Sequence, residues 1–302
     1  MTLRQDMIQA LARAPQLLDT SIDLVRKYVI SRMGEEGGFT GRGSKSDLYY
    51  TVFGIELLIS LGCPVPVEPL KKYLASFNGG TGLDLVHLAS LTRCHASLAE
   101  FSSADIEPLL REKLAENLFS MQCMDGAYSS NEPGISGNAY GCFLAVAMCQ
   151  DLGIPVQNRE AVLECLDILA MENGGYSNEA AAKTASTPST AAVLCSFHML
   201  DCPVPEKSVE WLIDQIHSHG GFCALAGPGP LCIPDLLSTA TALQALSYCH
   251  SNVSVHRERH LDFLDSLWNP SGGFSGSWAD PEVDCEYTYY GLLSLGYLAD
   301  NP

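Results

Sequence analysis

Two of the chain's few basic residues stand three apart in a glycine-rich loop, Gly41-Arg42-Gly43-Ser44-Lys45-Ser46-Asp47. Glycines let a backbone turn sharply against a ligand, and the apolar run that follows would give the loop a helix N-terminus, which favours anions. Arg42 and Lys45 would add the positive charge that a diphosphate needs, with Mg²⁺ accompanying such a substrate. Carboxylates gather elsewhere. Asp280, Glu282, Asp284 and Glu286 crowd one stretch, while Asp47 and Asp235 each stand before an apolar run. A carboxyl held against apolar walls has a raised pKa and can act as an acid near neutrality. Asp47, Asp235, Asp284 and Glu286 are therefore the candidate catalytic acids. Thiols and imidazoles offer less. The twelve cysteines are scattered beside apolar residues with no CxxC, as buried free thiols would be, and no His and charge pattern activates any of them. The pairs His217/His219 and His87/His95 are read as surface or core histidines rather than metal ligands.

Composition narrows the partners. Hydrophobic residues make up 47% of the 302 and charged ones 17%, which describes a globular chain with a large core. A net charge of −18 leaves little basic surface for nucleic acid or an anionic membrane. No apolar run reaches the roughly 18 residues of a membrane span. Met1-Thr2-Leu3-Arg4-Gln5-Asp6 mixes charges from the start, unlike a signal peptide, so a cytoplasmic location is expected.

The elements that must position these residues come from a repeat. A glycine-rich tripeptide ending in an aromatic recurs as Gly37-Gly38-Phe39, Gly126-Ala127-Tyr128, Gly174-Gly175-Tyr176, Gly220-Gly221-Phe222 and Gly272-Gly273-Phe274, with Gly79-Gly80-Thr81 as a degenerate sixth. After each comes an apolar segment with helix-start chemistry: Asp47–Leu61, Asp84–Leu98, Ser136–Leu152, Ser186–Leu200, Asp235–His250 and Asp284–Leu298. Asp is followed four residues later by Thr in Asp47/Thr51, Asp235/Thr239 and Asp284/Thr288, and Ser186/Thr190 is a variant. Phrases such as Leu152-Gly153-Ile154-Pro155 then stop the helix, and an amphipathic segment such as Val209–Asp214 follows. Each repeat thus predicts one helix that must be buried and one that can face water. Six pairs in an open line would expose apolar ends; closing them into a ring removes the ends. The expectation is an all-α, closed (α/α)6 barrel, one domain over 1–302, with no strand alternation competing.

The Gly-Gly-aromatic element and phrases such as Ser46-Asp47-Leu48-Tyr49-Tyr50-Thr51-Val52-Phe53-Gly54-Ile55 resemble the β-subunits of protein prenyltransferases and the related squalene and terpene cyclases. The resemblance runs along nearly the whole chain. It implies a central apolar, aromatic-lined cavity for an isoprenoid small molecule, and in the prenyltransferase case an α-subunit-like protein partner. Tyr49, Tyr50, Tyr128, Tyr140, Tyr176, Tyr287, Tyr289 and Tyr290 could line such a cavity or pack between helices. Of these, Tyr49, Tyr50, Tyr140, Tyr287 and Tyr290, with Arg42 and Lys45, are the substrate-binding candidates.

The family's chemical motifs are altered here. The prenyltransferase zinc frame of Asp, Cys and His matches Asp235, Leu237 and Tyr287, so a zinc site is not expected. The cyclase Asp-x-Asp-Asp-Thr frame meets Asp235, Leu237 and Ser238; only in Asp284-Cys285-Glu286-Tyr287-Thr288 does an acid, Glu286, fall where the protonating Asp would stand. Ring closure would set the first repeat beside the sixth. Arg42 and Lys45 would then either pair with the carboxylates at 280–286 and fasten the seam, or form with them a mouth for a diphosphate. Three activities follow as expectations: acid-initiated cyclisation or isomerisation of an isoprenoid, zinc-independent prenyl transfer to an acceptor, and non-catalytic isoprenoid binding or scaffolding.

Overall fold

The computed structural model describes residues 1–225, 232–251 and 256–299. Two short helices open the chain, α1 (Leu3–Arg13) and α2 (Pro15–Leu18). Six outer helices then alternate with six inner ones: α3 (Ile22–Ser31) and α4 (Leu48–Ser60), α5 (Val67–Ala75) and α6 (Leu85–Phe101), α7 (Pro108–Ser120) and α8 (Ala139–Leu152), α9 (Arg159–Ile168) and α10 (Thr187–Met199), α11 (Glu206–Ile213) and α12 (Leu236–Tyr248), α13 (Arg257–Ser266) and α14 (Cys285–Ala299). The inner helices coincide with the six apolar segments of the sequence to within a few residues. Each inner helix packs on the next, α4 on α6 through to α12 on α14, and α14 packs on α4. Burial explains the alternation. Helix α4 buries Leu48, Val52, Phe53, Ile55, Leu57 and Leu58 around most of its circumference, whereas α5 buries only Leu70, Tyr73 and Leu74.

The recurring Asp and Thr have separate structural tasks. Asp47, Asp84, Asn138, Ser186, Asp235 and Asp284 each accept a backbone N–H from the first turn of an inner helix, relieving donors that no carbonyl reaches there. Thr51, Thr190, Thr239 and Thr288 accept the N–H of Phe39, Tyr176, Phe222 and Phe274, at 2.9, 2.9, 3.0 and 3.3 Å. The aromatic of each tripeptide is thereby pinned, almost fully buried, against its own inner helix. The first glycine of the tripeptide faces the other way. Gly37 has φ +95°, and a Cβ there would lie 2.6 Å from the Pro69 carbonyl oxygen on α5, so only glycine serves. Gly272 makes the same approach to Leu24 on α3, which joins the last repeat to the first.

Arginines of the outer helices close the opposite ends. Arg26, Arg111, Arg159 and Arg257 donate to the carbonyls of Leu61, Leu152, Leu200 and Leu298, where the inner helices run out of internal donors. Helix α1 packs on α4, α8 and α14. Its Leu3 N–H donates to Gln150, and Asp6 accepts from Tyr248 (2.8 Å) and Tyr297 (2.6 Å).

Two features depart from the sequence reading. A small antiparallel sheet joins the last two repeats, with β1 (Phe222–Cys223), β2 (Pro234–Asp235), β4 (Gly273–Ser277) and β3 (Trp268–Asn269) in that order and β5 (Asp280–Val283) on β4. These strands of two to five residues are extensions of the turns around the glycine tripeptides, too short to show alternation. The cysteines are also not all free. Cys223 and Cys232 form a disulfide, because β1 and β2 run antiparallel and bring their Cα atoms to 5.9 Å. Eight of the other ten thiols are buried.

Candidate functional site

The inner helices enclose a cavity of about 450 Å³, within the range of small-molecule sites. Val52, Phe53, Phe143, Leu144, Ala147 and Met148 form its apolar wall, and Tyr49, Tyr140, Tyr289 and Tyr290 add aromatic rings. Phe53 meets Tyr49, Tyr289 and Tyr290 edge to face at 5.1–5.8 Å, which fixes these rings as one cluster.

At the rim, where the inner helices begin, Tyr49 donates its hydroxyl proton to Glu286 Oε1 at 2.6 Å. Helix α4 supplies the tyrosine from its first turn and α14 supplies the glutamate from its own. Burial raises the Glu286 pKa above the usual carboxylate range, Asp284 pushes it further, and Tyr49 and Arg42 partly offset the rise. Burial likewise drives the Tyr49 hydroxyl far up, so it stays protonated. Glu286 is not itself part of the cavity wall and meets the cavity through Tyr49. Tyr140 and Tyr290 stand in the wall, and the Tyr140 N–H is held by Asn178 Oδ1 at 3.1 Å.

The other candidates lie outside that wall. Arg42 donates to Asp280 at 2.6 Å and to Asp284 at 3.1 Å, with its guanidinium 5.4 Å from the centre of the Tyr287 ring. The bond to Asp280 is the main cause of its raised pKa. It thus fastens the first repeat to the last, and Lys45 beside it is exposed. Tyr50 and Tyr287, the other tyrosine candidates, pack on the loop glycines Gly41 and Gly276, where a Cβ would strike their rings. Asp47 and Asp284 cap α4 and α14, as Asp235 caps α12 through Ser238 N (2.7 Å) and Oγ (2.8 Å). Burial still raises the Asp235 pKa. Leu237 lines the cavity. Among the described residues no three His, Cys, Asp or Glu side chains are grouped to hold a metal ion. Asp280 and Asp284 are both bonded to Arg42.

The far end of the cavity is polar in a way that the linear reading missed. Glu56 on α4 is fully buried and accepts from Arg93 Nε (2.8 Å), Ser97 (3.2 Å) and Tyr289 (2.7 Å). Asp151 on α8 accepts from Arg4 Nε at 3.0 Å, and Arg4 also reaches Glu100 at 2.7 Å. Burial raises the Asp151 pKa, although Arg93 and Arg4 oppose it. The available signal was a charge in the middle of an otherwise apolar segment, as Glu56 is within Asp47–Leu61 and Arg93 within Asp84–Leu98.

The model of the prenyltransferase alpha-alpha toroid domain matches residues 7–76, 55–223 and 192–301. The chain belongs to the prenyltransferase α/α toroid family. No curated protein matches it in sequence. Among solved structures, the toroid is similar to the type II terpene cyclase MstE from Scytonema, with 14% identity, a TM-score of 0.61 and coverage of 96% of this chain and 98% of that one. The same cyclase in complex with geranylgeranyl dihydroxybenzoate matches at 12% identity and a TM-score of 0.65, over 97% and 98% of the two chains. The GH76A alpha-1,6-mannanase from Salegentibacter sp. HEL1_6 matches at 11% identity and 0.63, over 93% and 99%. Likeness at these identities is likeness of fold. A cyclase and a glycan hydrolase share it, so the toroid's own cavity must discriminate.

Proposed function

We propose that the chain is a closed six-repeat (α/α)6 barrel that holds an isoprenoid in its central cavity and starts carbocation chemistry there, without zinc, as a cyclase or isomerase. The observation that carries this reading is the Glu286–Tyr49 pair, 2.6 Å apart at the rim of an apolar, tyrosine-lined cavity. A glycan needs many polar contacts, and this wall of Val, Leu, Phe, Ala and Met offers few. When Glu286 is protonated the bond reverses: Glu286 donates to the Tyr49 oxygen, which frees the Tyr49 O–H to protonate an alkene carbon while Glu286 passes its own proton to that oxygen. The C–H bond forms as the alkene π bond opens, and the cation is left among the faces of Phe53, Tyr140, Tyr289 and Tyr290. Loss of a proton back to the Tyr49–Glu286 pair restores an alkene, so the product is an isomer of the substrate.

Glu286→Gln should lower product formation by about 10²–10⁴-fold, the usual worth of a general acid, while isoprenoid binding followed by thermal shift persists. Normal turnover by that variant would refute the acid role. Binding without turnover is a second reading, favoured by Leu237, which stands in the wall at the position of the cyclase frame's acid. The engagement of Arg42 with Asp280 and Asp284 weighs against diphosphate capture, and so against prenyl transfer with Mg²⁺.

A further inference from the structure

The toroid's cavity is polar at both ends, and the chemistry proposed above uses only the rim. Away from that rim, Arg93 of α6 and Gln244 of α12 both line the same cavity. Arg93 spends Nε on Glu56 (2.8 Å) and Nη2 on Met7 Sδ (3.1 Å), while its Nη1 has no acceptor among the described residues. Gln244 donates Nε2 to Tyr248 (3.4 Å), and its Oε1 receives no donor among the described residues. One donor and one acceptor are therefore left over, on side chains that the surrounding bonds hold in place. Both residues line the cavity, where a ligand group could pair with these atoms.

Charge selects the kind of ligand group. The buried Glu56 and Asp151 already balance Arg93 and Arg4, and Glu100 and Asp6 add two carboxylates at the outer edge of the cluster. An anionic head group would meet no uncompensated positive charge here. A hydroxyl, by contrast, accepts from Arg93 and donates to Gln244 with no charge to desolvate. Distance selects the spacer. Tyr49 and Glu56 are seven residues apart on α4, and Tyr140 and Asp151 are eleven apart on α8, which at about 1.5 Å per residue sets rim and far end roughly 10–16 Å apart. With C–C bonds of about 1.5 Å, that gap takes on the order of ten main-chain carbons, or two to three isoprene units.

We propose that Arg93 and Gln244 form a subsite for a neutral oxygen function at the inward-pointing end of an isoprenoid, so that the toroid accepts an oxygenated isoprenoid alcohol in preference to the hydrocarbon. This rests on the reading of the cavity as an isoprenoid site. The test titrates the intact protein with farnesol and with the saturated hydrocarbon farnesane, each delivered from a cyclodextrin carrier. Two variants accompany the native chain: Gln244→Leu, and the charge-neutral double variant Arg93→Met with Glu56→Gln, whose folding is checked by its melting temperature. Farnesol should bind the native protein at least tenfold more tightly than farnesane, and both variants should erase the difference by weakening farnesol alone. Equal affinity of the native protein for the two probes overturns the subsite but leaves the cavity reading intact. A preference that survives both variants also overturns it, because the rim would then read the hydroxyl. Failure of both probes to bind removes the cavity reading and the subsite together.

Discussion

At the scale of single residues, two glutamates on neighbouring helices divide the cavity. Glu286 is half-buried with one donor, and Glu56 is fully buried with three. The first suits proton delivery and the second suits anchorage. Because the Glu286 pKa is displaced upward, its acid form persists to higher pH than a free carboxyl would allow. Product formation should be full below that pKa and fall as pH rises through it, and Glu286→Gln should flatten the residual profile. Glu56→Ala strands Arg93 and should cost about 3–5 kcal/mol of unfolding free energy in urea, whereas removing both charges together should cost much less. His260 gives a stability counterpart. It is fully buried, accepts the Gly221 N–H at Nδ1, and burial lowers its pKa from 6.5 to about 4. The unfolded state therefore takes the proton first. Stability present above pH 6.5 should decline by up to about 3 kcal/mol as the solution is acidified towards pH 4, and replacement of His260 by Asn should remove that slope. Glu286 could be picked out from the sequence because its frame repeats. Glu56 and Arg93 could not, because their partners lie on other helices and a lone charge in an apolar run declares no direction.

At the scale of elements, the Gly-Gly-aromatic signal and the Asp-to-Thr spacing prove to be two halves of one joint. The aromatic N–H rests on the threonine hydroxyl, and that hydroxyl donates in turn to the capping residue's carbonyl, as Thr239 does to Asp235 at 2.6 Å. Thr239→Val keeps the shape but strands the buried Phe222 N–H. It should lower stability by about 1–3 kcal/mol with no change in ligand affinity, measured by parallel denaturation and binding curves. This joint was legible because it uses local spacing, as were the helix boundaries. The arginine caps were not. Arg159 lies some forty residues before the carbonyl of Leu200 that it satisfies, and only the packed pair makes them neighbours. The short strands escaped for a different reason, since pairs such as Phe222↔Asp235 and Asp235↔Ser277 are set by the meeting of turns rather than by side-chain alternation.

At the scale of the whole molecule, the first and last repeats meet through Gly272 against Leu24 and through Arg42 between Asp280 and Asp284. Arg42→Ala should cost about 1 kcal/mol, less at high salt because the arginine is part-exposed, and should leave isoprenoid affinity unchanged; a loss of affinity without a loss of stability would make it a ligand contact instead. The sequence could place these residues at a junction but could not choose between fastening and binding, since the choice depends on how closely the carboxylates approach. Helix α1 carries a different consequence. Its Leu3 and Asp6 are bonded to the ends of α8, α12 and α14, and its Met7 stands in the cavity wall. Helix α1 thus packs against the cavity at that end, through Met7. Helix α1 belongs to none of the six helix pairs, so the reach of the cavity at that end is set by a segment outside the repeat, and exchanging Met7 for a smaller or larger side chain would lengthen or shorten it without disturbing any repeat.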